Sequence, residues 1–259
     1  MAAATPLEWD SEFFGFPVGE IDLRQGCGDL AALRDEIASS GYRLCYVLTH
    51  DADGDATAAA IGATLVDRRT LMQRSLDHRS VEDRRDSEED FASSTDLARV
   101  RSLALQSAEF SRFRTDHRMP PDAWLRMYER WADNSMSGTM ADAVLVARIN
   151  GDVVGVLTVS SREDLGKIGL FAVDAAARGR GLGAALLARG AAWFARRGCQ
   201  SVLVVTQGDN IGAQRVYERA GYVIAAVTNV DHLWLPDRVA IAAHEELSQK
   251  PNDPQGQPA

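Results

Sequence analysis

The stretch "GLFAVDAAARGRGLGAALLARGAAWFARRG", residues 169–198, opens as an apolar strand-like run. It passes through a short connection and a cluster of glycines and arginines into a long alanine-rich helix. Inside it, "GRGLGA", residues 179–184, satisfies the relaxed dinucleotide pattern G-x-G-x-x-A. A dinucleotide fingerprint needs a strand that runs directly into the first glycine, and an acidic residue about 20 positions on for the ribose. Here "DAAAR", residues 174–178, intervenes, and the next strand, "SVLVVTQ", ends in Gln207 with no acid at its tip. The parse that fits is Arg178-x-x-Gly181-x-Gly183, opening a helix. Glycines let backbone N–H groups approach an anion. The helix N-terminus adds unpaired donors and a partial positive charge, and Arg178 and Arg180 add fixed charge beside it. That assembly suits a pyrophosphate. The plainer use of the same string is a turn that packs a helix on a sheet.

The elements around this loop are legible. "DLARVRSLALQSAEF" from Asp96 has helical periodicity, and "PPDAWLRMYERWADNS" spaces Trp124, Tyr128 and Trp131 at three and four residues, on one helix face. "AVLVARINGDVVGVLTVS" is two strands joined at Asn150-Gly151, a strong hairpin signal. "GKIGLFAV" is a third strand. The helix from Gly181 ends at Gly198, a C′ glycine. "IGAQRVYERA" is a short helix before Gly221, and "YVIAAVT" and "HLWL" read as two final strands.

The N-terminal half repeats part of this order. "SSGYRLCYVLTHD", residues 39–51, aligns without gaps on "RRGCQSVLVVTQG", residues 196–208, and "AIGATLVD" resembles "RAGYVIAA". "VGEIDL" and the helix "DLAALRDEIASS" lie upstream. Residues 18–77 therefore read as a partial copy of the second half. The expected organisation is an N-terminal α/β domain over 1–77 and a charged linker over 78–95. The main domain follows over 96–236, and a C-terminal extension over 237–259 whose end, "PNDPQGQPA", has a disordered composition.

Composition bounds the function. The chain of 259 residues is 46% hydrophobic and 25% charged, with net charge −9. That excludes general nucleic-acid or anionic-membrane binding. "MAAATPLEWDSEFF" has neither a basic start nor an apolar core of a signal peptide, and no apolar run is long enough to span a bilayer. Cys27, Cys45 and Cys199 are odd in number and far apart, which fits a reducing compartment and a cytoplasmic location. His50, His78, His117, His232 and His244 show no ligand spacing, so no metal is expected.

The order strand, R-x-x-G-x-G, helix, strand, then the Asn-led helix in "QGDNIGAQRVYERAGY", residues 207–222, resembles the GCN5-related N-acetyltransferases (GNAT) over about residues 96–235. The resemblance implies a mixed α/β fold that binds acetyl-coenzyme A, with a smaller N-terminal α/β domain like a partial repeat. It puts the coenzyme pyrophosphate on Arg178, Gly179, Arg180, Gly181, Leu182 and Gly183. It lays the pantetheine arm along Leu170, Phe171, Ala172 and Val173 like an added strand. Asn210 and Ala213 complete the donor site. The matching N-terminal loop, "RQGCGDL", lacks the pattern, so one donor site is expected.

Acyl transfer to an amine needs a neutral amine, stabilisation of the developing oxyanion and a proton for the leaving thiolate. A strand amide near Phe171 or Ala172 could serve the oxyanion. Tyr217 falls on the family's general-acid tyrosine, and a phenol with a pKa near 10 keeps its proton at neutral pH. Its bland alternative is a core aromatic, as Asn210's is a helix cap. Asp116, Glu109 and Glu163 are candidate bases, with a water chain as the alternative.

A narrower resemblance, to the dTDP-fucosamine acetyltransferases, rests on "LEWDSEFFGFPVGEI", "SRFRTDHRMP", "WADNSMSG" and "KIGLFAV". It implies a small-molecule amine acceptor, a dTDP-linked amino sugar, with Arg112, Arg114 and Asn134 as substrate-binding candidates, and leaves room for a homodimer. The alternatives are another small amine, an antibiotic or a protein N-terminus as acceptor, or a non-catalytic acyl-coenzyme A sensor.

Overall fold

The computed structural model describes residues 4–24, 29–77 and 90–236. In chain order its first elements are β1 (Thr5–Pro6), α1 (Glu8–Phe14), β2 (Val18–Asp22), α2 (Leu30–Ser39), β3 (Leu44–Thr49), α3 (Ala52–Ala60) and β4 (Thr64–Ser75). Then come α4 (Leu97–Gln106), α5 (Arg112–Thr115) and α6 (Ala123–Met136). The remainder is β5 (Ala143–Ile149), β6 (Asp152–Arg162), β7 (Leu165–Val173), α7 (Leu182–Arg196), β8 (Ser201–Gln207), α8 (Ile211–Arg219) and β9 (Val223–Trp234). The last strand is continuous, where the sequence reading divides it in two. Two compact units result: Met1–Leu65 with Val230–Ala259, and Val66–Asn229. The first division falls at Leu65, ahead of the expected boundary at 77. Of the expected linker, residues 78–89 lie outside the described residues, as does the extension 237–259. Asp90 and Phe91 are tied into the second unit, by an ion pair to Arg189 and a bridge to Leu145.

In the first unit every residue of β3 is buried. A strand apolar on both faces belongs in the middle of its sheet. It pairs in parallel with β2, from Val18↔Leu44 to Asp22↔Leu48. On its other side lies β9, with the Leu235 N–H donating to the Arg43 carbonyl at 2.9 Å. Ile21, Leu33, Ile37, Val47, Ala58 and Leu233 form the core.

The second unit is built on the sheet β4-β8-β7-β6-β5. Asn150 (φ 53°) and Gly151 (φ 89°) make the tight β5–β6 hairpin that their dipeptide signals. One face of the sheet is covered by α7 and α8, with Leu157, Ile168, Leu186, Phe194, Val204 and Tyr217 packed between. The other carries α4 and α6, with Val100, Leu103, Tyr128, Val146 and Leu170 in contact. Trp124, Tyr128 and Trp131 do share the inward face of α6.

The two halves share an order of elements. β2-α2-β3-α3-β4 recurs as β7-α7-β8-α8-β9, and each copy opens with a parallel pair. Gly41 and Gly198, aligned in sequence, share φ 78°, and β3 and β8 begin at the aligned Leu44 and Ser201.

Candidate active site

Strands β7 and β8 stay paired from Leu165↔Ser201 to Ile168↔Val204. Beyond that they part, although β7 continues to Val173 and β8 to Gln207. A bulge accompanies the split. On the other side of β7, the register jumps between Leu157↔Phe171 and Val159↔Ile168, so Thr158 stands opposite both Gly169 and Leu170. The Leu170 N–H donates to Thr158 Oγ1 at 2.7 Å. A Cβ at residue 169 would meet that oxygen at 2.7 Å, which is why glycine stands there.

The Asp174 N–H donates to the Val154 carbonyl at 2.8 Å, so Asp174, like Leu170, turns its main chain toward β6. Main-chain groups alternate in direction along a strand. Those of Phe171 and Val173 therefore face the split, whereas Ala172 turns toward β6. Of the two strand amides the sequence offers for an oxyanion, only the one at Phe171 faces the split.

Past β7, Asp174 accepts the Ala176 N–H at 2.8 Å and an ion pair from Arg99. These bonds hold its carboxyl below the usual carboxylate range. The chain then turns through Gly179 (φ 78°) and Gly181 (φ 77°), conformations that favour glycine. Gly181 is the N-cap of α7 and brings no side chain to it, and the first turn holds no acid. The first-turn N–H groups are thus left for an anion. Arg178 to Gly181 are exposed, Leu182 and Gly183 half-buried. Arg178 folds back, its Nε donating to the Val173 carbonyl at 3.1 Å.

Helix α8 begins at the tip of β8. Asn210 caps it, its side chain accepting the Ala213 N–H at 3.1 Å. Tyr217, two turns on, is buried against Phe171 and Tyr222, with ring centroids 5.5 and 5.6 Å away. Burial, and secondarily Tyr222, pushes its phenol above the ordinary range, so it stays protonated at neutral pH.

A cavity of about 290 Å³ opens at the split. Gly169, Leu170 and Phe171 line it from β7, Val205, Thr206 and Gln207 from β8, and Asn210, Ala213 and Tyr217 from the start of α8 and along it. Asp67 and Arg69 on β4, Arg112 on α5, and Tyr128 on α6 also line it.

The structure therefore gathers Leu170, Phe171, Asn210, Ala213, Tyr217 and Arg112 around one cavity. Arg114 is exposed, its guanidinium stacked over Trp124 at 4.7 Å, and it does not line the cavity. Asn134 also lies outside the lining, its Nδ2 against Met140 Sδ at 3.6 Å. Nor does any candidate base line it. Asp116 is buried in a pair with Arg118 at 3.3 Å, Glu109 is exposed, and Glu163 sits in the β6–β7 turn with φ 56°. Sequence reasoning missed Asp67, Arg69 and Tyr128. Nothing local in "TLVDRRT" marks Asp67; only the pairing of β4 with β8 brings it to the site. Among the described residues no helix is long and apolar enough to cross a membrane.

Residues 103–222 match the Acetyltransferase (GNAT) family. The chain is similar to the dTDP-fucosamine acetyltransferase of Escherichia coli O6:H1 (27% identical over 223 residues, covering 85% of this chain and 93% of that one). It is also similar to the spore coat polysaccharide biosynthesis protein SpsD of Bacillus subtilis (30% over 139 residues, covering 54% and 48%). A GCN5-related N-acetyltransferase from Sphaerobacter thermophilus shares the fold with a TM-score of 0.59 at 20% identity, over 89% of this chain and 76% of that one. The chain carries a GNAT domain and is an N-acetyltransferase with a mixed α/β fold.

Proposed function

We propose that the enzyme transfers the acetyl group of acetyl-coenzyme A to the amino group of a nucleotide-linked amino sugar. The observation that carries the reading is the split between β7 and β8, which lies beside the uncapped glycine start of α7 and opens on the cavity holding Tyr217. On this reading the first-turn amides of α7 hold the donor's pyrophosphate, with Arg178 and Arg180 beside them. The Phe171 carbonyl and the Val173 N–H, which face the split, pair with the amides of the donor's arm, in the manner of an added strand. The Phe171 N–H faces the developing oxyanion, and Tyr217 gives its proton to the leaving sulfur. For the acceptor, Arg69 and Arg112 suit a phosphate-bearing molecule. The names of the two relatives, one acting on a dTDP-linked amino sugar and one in polysaccharide biosynthesis, point the same way.

The test is thiol release from acetyl-coenzyme A against a panel of amines, with dTDP-4-amino-4,6-dideoxygalactose, its free sugar, polyamines and peptide N-termini as members. The expected result is fast release with the nucleotide sugar and little with the free sugar. Release driven equally well by the free sugar or a polyamine would overturn the nucleotide-sugar acceptor.

A further inference from the structure

None of the acids read from the sequence lines the cavity, yet one carboxylate does. The β4–β8 register ends with Arg69 opposite Gln207, which carries Asp67 past the tip of β8 to the loop that starts α8. Asp67 is half-buried and shares the cavity with Tyr217. Charged and titratable neighbours face it from several directions: Arg112 on α5, Tyr128 on α6, Asp209 ahead of α8, and Arg69 on its own strand. The Arg68 backbone N–H donates to its carboxylate. Four side chains and one main-chain N–H thus fix this carboxylate's surroundings.

We propose that Asp67 receives the ammonium group of the acceptor in this cavity and takes its proton before acetyl transfer. The proposal rests on the cavity being the acceptor site. A primary ammonium has no lone pair to attack with. Burial raises the Asp67 pKa to about 6, against the partial opposition of Arg112. The group is therefore ionised at neutral pH, yet more basic than an ordinary carboxylate of about 3.9. The step balances. One proton passes from nitrogen to Asp67 and on to solvent, leaving a neutral amine. Its lone pair forms the C–N bond to the acyl carbon as the C–S bond breaks. The second proton, shed by nitrogen in the adduct, compensates for the one Tyr217 gives to the thiolate.

The sign of the pH dependence follows. Below about pH 6 Asp67 holds its own proton and cannot accept another, so kcat/KM for the amine falls on the acid side. Asp67→Asn keeps the shape and removes the charge. The fastest amine of the thiol-release panel serves as probe. The variant should lose about 10²–10³ in kcat/KM and lose the acid limb. Its acetyl-coenzyme A affinity by calorimetry should stay within about twofold, because the donor contacts lie on β7 and α7. Asp67→Glu should recover part of the rate together with an acid limb. An Asn variant with near wild-type kcat/KM and an unchanged limb overturns the proposal. So does a parallel loss of donor affinity, which marks a packing role. A carboxyl ¹³C titration, with Asp67 assigned by difference from the Asn variant, decides the claim separately from the acceptor's identity. A midpoint near 6 supports it, and one in the ordinary range near 4 overturns it.

Discussion

Tyr217 is useful because burial and access coincide at it. Its ring is locked between Phe171 and Tyr222, while its residue still lines the cavity. Tyr217→Phe keeps both ring contacts and removes only the hydroxyl. We expect turnover to fall by about 10²–10⁴, with acetyl-coenzyme A binding nearly unchanged, measured by pre-steady-state thiol release and calorimetry. Near wild-type turnover where chemistry limits the rate would remove Tyr217 as the acid. This residue was legible because "QGDNIGAQRVYERAGY" carries cap, helix and tyrosine in one continuous string. Asp67 was not, because it reaches the site only through pairing with a strand far away in the chain. Arg112 and Arg114 show the intermediate case. Their string drew attention to both, but side chains two apart on a helix do not face the same way. One lines the cavity and the other stacks on Trp124.

The two copies of the helix that follows the first parallel strand differ at one decisive place. Helix α2 is capped by Asp29, whose carboxylate accepts the Ala31 and Ala32 N–H groups. A fixed negative charge there fills the position an anion would take and repels it. Helix α7 has Gly181 instead. Of these two helices, α7 alone leaves its first-turn donors without a side-chain cap, at the R-x-x-G-x-G string. Gly181→Val should weaken acetyl-coenzyme A binding by about tenfold or more, since a branched side chain at φ 77° costs about 1–3 kcal/mol and crowds the donors. Calorimetry checks this, beside a melting curve of the ligand-free variant. A folded variant with unchanged affinity would sink the role of this turn. Most elements were legible from periodicity and glycine punctuation. The exception, β9, reads as two strands because Asn229 and Asp231 interrupt its apolar run, yet Asp231 is buried and the strand passes through.

For the molecule as a whole, the boundaries matter more than the elements. A fragment cut to the sequence-derived limits, 96–236, would lose β4, whose Arg69 to Ser75 pair with the full length of β8. It would also lose Met72, fully buried in the core under α7. We expect that fragment to expose a raw strand edge, bind hydrophobic dyes and aggregate, as judged by size-exclusion chromatography and near-UV circular dichroism. A monodisperse fragment with a sharp melting transition would show β4 to be dispensable. This boundary is not legible in the sequence, because a strand's partner is a long-range property that no local pattern records.

The path of β9 has a further consequence, for how the protein is made. The first unit needs Val230–Trp234 to finish the sheet around β3, yet the ribosome delivers those residues after the whole second unit. The N-terminal unit, first to emerge, is therefore the last to close. Until then β3, buried along its whole length in the finished unit, is left exposed and in need of a chaperone.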